Sequence, residues 1–220
     1  MATVDFRAVY SLQDRVLESL SGAATTFYLT GGTCVNRFFL EKRYSDDLDL
    51  FTNDNALFRE DYKRLMSALS IAGMHPEIRV DTRDFVRLSF DSILQVDLVN
   101  DRVFHFGGVM ITDKGYPLDN PRNICSNKLT ALVGRDEPKD VFDLYVLACY
   151  AGFHWKEILE IASMKAAIDR EVLEYRLKSF PLDLLHHLVV SDHGFLQAME
   201  KNYSLLVEDI TNENVNRFHE

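Results

Sequence analysis

"LTGGTCVNRFFLEKRYSDDLDLFTND", residues 29–54, sets a glycine pair, a run of helix formers and closely spaced aspartates in one short stretch. Its second half, "DDLDLFT" (46–52), alternates as a strand. Successive strand side chains point to opposite faces, so Asp47 and Asp49 share one face while Leu48 and Leu50 share the other. Two positions along a strand place the Cα atoms roughly 6.5–7 Å apart, within reach of one cation or a metal pair. Without a cation the two carboxylates repel, and one tends to hold a proton. Hard divalent ions take oxygen ligands, often one or two carboxylates together with substrate phosphate. A solvated edge strand would also account for an isolated Asp-x-Asp.

Upstream, "TTFYLT" (25–30) is a short β-rich run closed by Gly31-Gly32, and "TCVNRFFLEKR" (33–43) reads as a helix. A strand that turns through glycines into a helix presents backbone N–H groups and the positive end of the helix dipole, a setting that favours phosphate. Thr33 adds a hydroxyl. The GxxxxGK[ST] pattern is missing, so this is no P-loop. A third acid lies downstream: in "ILQVDLVN" (93–100) Asp97 sits between Val96 and Leu98 in a β-rich run, a costly place for a charge without a partner or a metal. If that strand lies beside 46–52, Asp97 completes a three-carboxylate site. The alternative is an ion pair with Arg87 or Lys128.

Further out, residues 9–21 form an amphipathic helix and 55–72 another, stopped by Gly73 and Pro76. The runs 77–82, 84–90 and 93–100 are strands whose short connections make them antiparallel neighbours. Residues 101–118 read as loop. Helical patterns then cover 121–134, 138–151, 155–167, 169–179 and 182–210, with Pro138 and Pro181 as helix starts. The expected fold is α+β: a mixed-sheet core over 1–118, followed by a helical region over 119–220 that contributes basic residues.

A second cluster lies in "NKLTALVGRDEPKDVFDLYVL" (127–147). Helical spacing puts Lys128 and Arg135 on one face, and Lys139, Asp140 and Asp143 fall within a turn of each other after Pro138. Lys128, Arg135 and Lys139 suit triphosphate oxygens, with Asp140 and Asp143 holding them in position. A solvated lattice of salt bridges is the alternative. His186, His187 and His193 have no carboxylate or cysteine at metal spacing, and Trp155, Cys125 and Cys149 read as core.

The 220 residues carry a net charge of −10 and no basic stripe, which excludes extended non-specific nucleic-acid binding but not a local basic site. Cys34, Cys125 and Cys149 form no CxxC pair, which suits a reducing compartment. No stretch has the ~18 apolar residues of a membrane helix, and the N-terminus does not read as a signal peptide, so the expected location is the cytoplasm.

The glycine turn followed by an Asp-x-Asp strand resembles the polymerase-β-like nucleotidyltransferase superfamily. More closely, Arg43-Tyr44-Ser45-Asp46-Asp47-Leu48-Asp49-Leu50 is similar to the R-[YF]-S-x-D-[LI]-D-[LF] motif of the AbiEii/AbiGii toxins of type IV toxin–antitoxin systems. The 14 residues between Gly32 and Asp47 match the spacing of this branch. Lys128, Ala131, Arg135, Lys139, Asp140, Asp143 and Leu144 follow the same family's K-x-x-A-x-x-x-R…K-D-x-x-D-L block. The resemblance covers roughly residues 25–150, and 151–220 carry no assignable motif.

This resemblance implies an enzyme that moves a nucleotidyl group from an NTP to a cellular acceptor with Mg²⁺, or Mn²⁺ in its place. Asp47, Asp49 and Asp97 would hold the metal and act catalytically, Asp97 also deprotonating the acceptor. Gly31, Gly32, Thr33, Ser45, Lys128, Arg135 and Lys139 would bind the nucleotide, with Asp140 and Asp143 behind them. The acceptor end of tRNA and a cognate antitoxin protein are the implied partners. A small-molecule nucleotidyltransferase of the antibiotic-modifying kind, or an inactive nucleotide-binding module, are the alternatives.

Overall fold

The computed structural model describes residues 5–219, and they group into two compact units. The first comprises the chain through Thr33, Ser45–Val103 and Gly108–Asp119. The second comprises Cys34–Tyr44, Phe104–Gly107 and the chain from Asn120 onward. The helical unit thus takes in two segments from the first half of the sequence, beside the expected division at 118/119.

The first unit is built on β1 (Tyr28–Thr30), β2 (Asp47–Asn53), β3 (Glu77–Asp81), β4 (Phe85–Phe90), β5 (Leu94–Asp101), β6 (Met110–Ile111) and β7 (Pro117–Leu118). They form one mixed sheet in the order β3-β4-β5-β2-β1-β7-β6. The 77–82, 84–90 and 93–100 runs are antiparallel neighbours, as their short links require. β2 and β5 pair in parallel, Leu48 opposite Val96 and Leu50 opposite Leu98. Leu29, Leu48, Leu50, Val86, Leu88, Val96 and Leu98 make a fully buried apolar face. α1 (Phe6–Gly22) packs against β5 and against α3 (Phe58–Ile71). Its apolar positions are buried, as helical periodicity demands. Residues 101–118 are not all loop: β6 and β7 pair as a short hairpin, and β7 lies parallel to β1 with Leu118 opposite Leu29. Two-residue strands offer no period to read.

Gly31–Cys34 forms one helical turn (α2), continued by a π-helical turn over Val35–Phe39, and Leu40 is already extended. The helix expected to reach Arg43 therefore stops four residues early. In the second unit the extended 42–44 segment takes backbone partners from 189–191: Tyr44 N–H donates to Val189 O at 2.9 Å and Ser191 N–H to Lys42 O at 3.0 Å. The same pairing breaks the helix expected over 182–210 into a 3₁₀ turn, Leu182–His187, and a helix that Asp192 caps by accepting from Phe195 N–H. The helices of this unit are α4 (Pro121–Gly134), α5 (Pro138–Tyr150), α6 (Trp155–Lys165), α7 (Arg170–Ser179) and α8 (His193–Thr211). Trp155 and Cys125 are core; Cys149 is half-buried. Among the described residues no helix is long and apolar enough to cross a membrane.

Candidate active site

The sheet face opposite the buried leucines is polar along one row. Register places Thr30 opposite Asp49, Asp49 opposite Asp97, and Asp97 opposite Arg87, across β1, β2, β5 and β4. Asp47 lies on the same face, two residues before Asp49, and both are half-buried. Asp46 precedes the strand and is exposed.

Gly31 is shaped by this row. Its φ is +70°, a left-handed conformation that glycine adopts without steric cost, and a Cβ there would lie 2.3 Å from Asp49 Oδ2. The turn at the end of β1 therefore depends on glycine twice, once for its backbone and once for the approach of the carboxylate. The start of β2 is pinned from behind. Gln13 Nε2, on α1, donates to Ser45 O and Asp47 O, both at 3.1 Å. Thr33 Oγ1 donates to Asp47 O at 2.6 Å and lies 2.8 Å from Ser45 Oγ. Thr33 and Ser45 are buried, so the two hydroxyls expected at the phosphate position the first aspartate instead. Gln13 carried no signal: a glutamine on the apolar stripe of a helix reads as an irregularity.

Asp97 occupies the expected place beside β2, and its partner is the one named as the alternative. Arg87 Nε and Nη2 donate to its two oxygens, each at 2.8 Å, and Gln95 Nε2 lies 3.4 Å away. Arg87 also sits over the Phe85 ring, 5.4 Å from its centroid. Its guanidinium is held more firmly charged than usual, first by the bond to Asp97 and further by the charges of Asp97 and Asp49. Among the described residues no three His, Cys, Asp or Glu side chains gather as a metal site. The converging three-acid cluster is thus replaced by two acids beside an ion pair, because the arginine on β4 stands opposite the third. Asp47 and Asp49, an oxygen-only pair beside the Gly31 turn, still suit Mg²⁺, which needs one or two carboxylates when phosphate supplies the rest.

One further acid escaped the sequence. Asp119, fully buried after β7, accepts from Thr30 Oγ1 at 2.7 Å, and its N–H donates to Leu29 O at 2.8 Å. It fixes the end of β1 that leads into Gly31, yet it lies in a segment with no readable period.

In the helical unit the second cluster closes on itself. Lys128 Nζ lies 2.8 Å from Asp140 Oδ1 and 2.7 Å from Asp143 Oδ2. Arg43 grips Asp143 through Nε and Nη2, both at 2.8 Å, and Asn36 Nδ2 donates to the same carboxylate at 2.9 Å. Arg135 reaches Asp140 at 2.7 Å, from just past the end of α4 instead of from the helical face expected for it. α4 ends at Gly134 with Arg135 already extended, ahead of Glu137, whose helical geometry Pro138 disfavours. Burial pushes the Asp143 carboxyl up, but Arg43 and then Lys128 outweigh it and hold it at about 2. Lys128 is likewise kept charged against its burial, by Asp143 and then Asp140. Lys139 is exposed and makes no ion pair among the described residues. Of the histidines, His186 pairs with Glu200 at 2.9 Å.

Comparison with known proteins bears on the fold and the family. A putative nucleotidyltransferase from H. pylori superposes with a TM-score of 0.59 at 20% identity, over 96% of each chain. JHP933 from Helicobacter pylori gives 0.57 at 19% identity, over 96% of this chain and 94% of that one. At such identities the likeness carries the fold alone. No curated protein matches. The family model described as "Nucleotidyl transferase AbiEii toxin, Type IV TA system" matches residues 15–216, nearly the whole sequence. The chain therefore belongs to the AbiEii family of nucleotidyltransferase toxins.

Proposed function

We propose that this nucleotidyltransferase uses an NTP and Mg²⁺, with Mn²⁺ as a substitute, to modify a cellular RNA, the acceptor end of tRNA first among candidates. The reading rests on one observation: Asp47 and Asp49 share a polar sheet face beside a turn whose glycine the Asp49 carboxylate itself requires. A divalent cation bound there would neutralise charge developing on the phosphates in transit. Asp47 and Asp49 hold that cation, and the backbone of Gly31 and Gly32 faces the triphosphate. Gln13, Thr33 and Ser45 keep Asp47 in place. The acceptor hydroxyl oxygen bonds to the α-phosphorus, the bridge to the β-phosphate breaks, pyrophosphate leaves, and the hydroxyl proton passes to water. Among the cations expected to take the nucleotide, Lys128 and Arg135 are engaged by Asp140 and Asp143. Membership of a type IV system supports an antitoxin partner and action inside the cell that makes it.

The test incubates the chain with each labelled NTP, Mg²⁺ and bulk RNA, protein or small-molecule acceptors. Label should enter RNA with the native chain and not with the Asp47→Ala, Asp49→Ala double variant. Equal labelling by both would refute the assignment of the two acids. Label in small molecules alone would identify the antibiotic-modifying type, which the net charge of −10 favours over a binder of long nucleic acids.

A further inference from the structure

We infer that Arg87 is a positioning residue that withholds Asp97 from the catalytic cation, so that the site holds one resident divalent ion on Asp47 and Asp49. This rests on the metal reading given above. Asp97 and Asp49 are direct partners on adjacent strands, about 4.8 Å apart in the hydrogen-bonding direction. At that spacing two carboxylates repel unless a cation stands by. A cation is already built in: the fork of Arg87 matches both oxygens of Asp97 at 2.8 Å, the planar two-point geometry that gives such pairs their direction. The guanidinium is fixed on its other side by the Phe85 ring, and Asp49 adds to the field that keeps it charged.

The Arg87 side chain is 38% exposed and that of Asp97 13%, so the pair is part-buried and its two-point geometry contributes to folding. Its place gives it a second role, since the pair stands at the end of the row that contains Asp49. Arg87 thus supplies the positive charge that a second ion would bring, and Asp97 serves to hold Arg87.

Mn²⁺ titration of the full-length chain without nucleotide, followed by electron paramagnetic resonance, tests this directly. The native chain should bind one ion. Arg87→Met frees the third carboxylate and should tighten binding at least about tenfold, the scale on which groups around a metal act. Adding Asp97→Asn to Arg87→Met should reverse that gain, whereas Arg87→Lys, which keeps the charge, should leave the affinity near native. A double variant that binds as tightly as Arg87→Met alone would make the gain independent of Asp97 and overturn the inference. So would two ions on the native chain, or an Arg87→Met variant, folded by circular dichroism, with unchanged affinity. The metal reading itself is judged separately by Asp49→Asn: if that variant binds Mn²⁺ as the native chain does, the cation does not sit on this pair and both fall.

Discussion

Gly31 shows how closely one position can tie backbone to chemistry. An alanine there meets two penalties of different kinds. A left-handed backbone costs a residue with a Cβ roughly 1–2 kcal/mol. The methyl would also lie 2.3 Å from Asp49 Oδ2, so the carboxylate must swing away. The first penalty is a stability effect and the second a functional one, and they separate by measurement. Gly31→Ala should lower unfolding stability by about 1–2 kcal/mol in a denaturant titration. Nucleotidyl transfer should fall far more, about a hundredfold, because ångström-scale misplacement of a reacting group costs that much. A variant that loses stability but keeps full transfer would show that Asp49 has room to spare.

At the scale of elements, what could be read from sequence was whatever had a period. The alternation in β2 and β5 identified the face shared by Asp47 and Asp49 and placed Asp97 on a strand. That β5 lies beside β2 followed only if the intervening strands returned to the right edge, which sequence does not state. The Arg87 pairing was visible as one of two partners but not decidable, since it depends on β4 aligning Arg87 opposite Asp97. Two-residue strands, the π-turn and the 42–44 to 189–191 pairing left no local signal, because each is imposed by a distant partner. The Arg43 and Asn36 contacts to Asp143 belong to this class, whereas Asp143 beside Lys128 was read from helical spacing, and the network makes a pH prediction. Asp143 titrates lower in the folded chain, near 2, than the usual carboxylate. Its contribution is therefore complete above the unfolded value of about 4 and is lost as pH falls toward 2, roughly 2–3 kcal/mol in all. Asp143→Asn should flatten the stability profile between pH 5 and pH 2 in chemical denaturation. At neutral pH it should cost about 3–5 kcal/mol, because Arg43 and Lys128 lose a buried counter-charge. A variant as steep in acid as the native chain would place the acid sensitivity elsewhere.

At the scale of the whole molecule, chain order and compact units do not coincide. The helical unit begins not at Asn120 but with Cys34–Tyr44, and that segment supplies two of the groups around a fully buried charge, Asp143. Arg43 and Asn36 both act on Asp143, which is wholly buried. A fragment covering residues 120–220 keeps Asp143, Lys128 and the five long helices but loses the arginine fork and the amide. Asp143 would then keep Lys128 alone, while Arg135 still holds Asp140, and a buried carboxylate stripped of one partner typically loses about 3–5 kcal/mol. That is a large share of the roughly 5–15 kcal/mol that holds an ordinary domain together. The fragment should therefore show helical far-ultraviolet dichroism with a broad, weakly cooperative melt. Arg43→Met in the full chain should reproduce much of the loss, because it removes the same fork without cutting the backbone. A fragment that melts as sharply as the full chain, and at the same temperature, would mean that the helices close around Asp143 without Arg43. The family motif's arginine would then serve chemistry or recognition, not the stability of the unit that contains it.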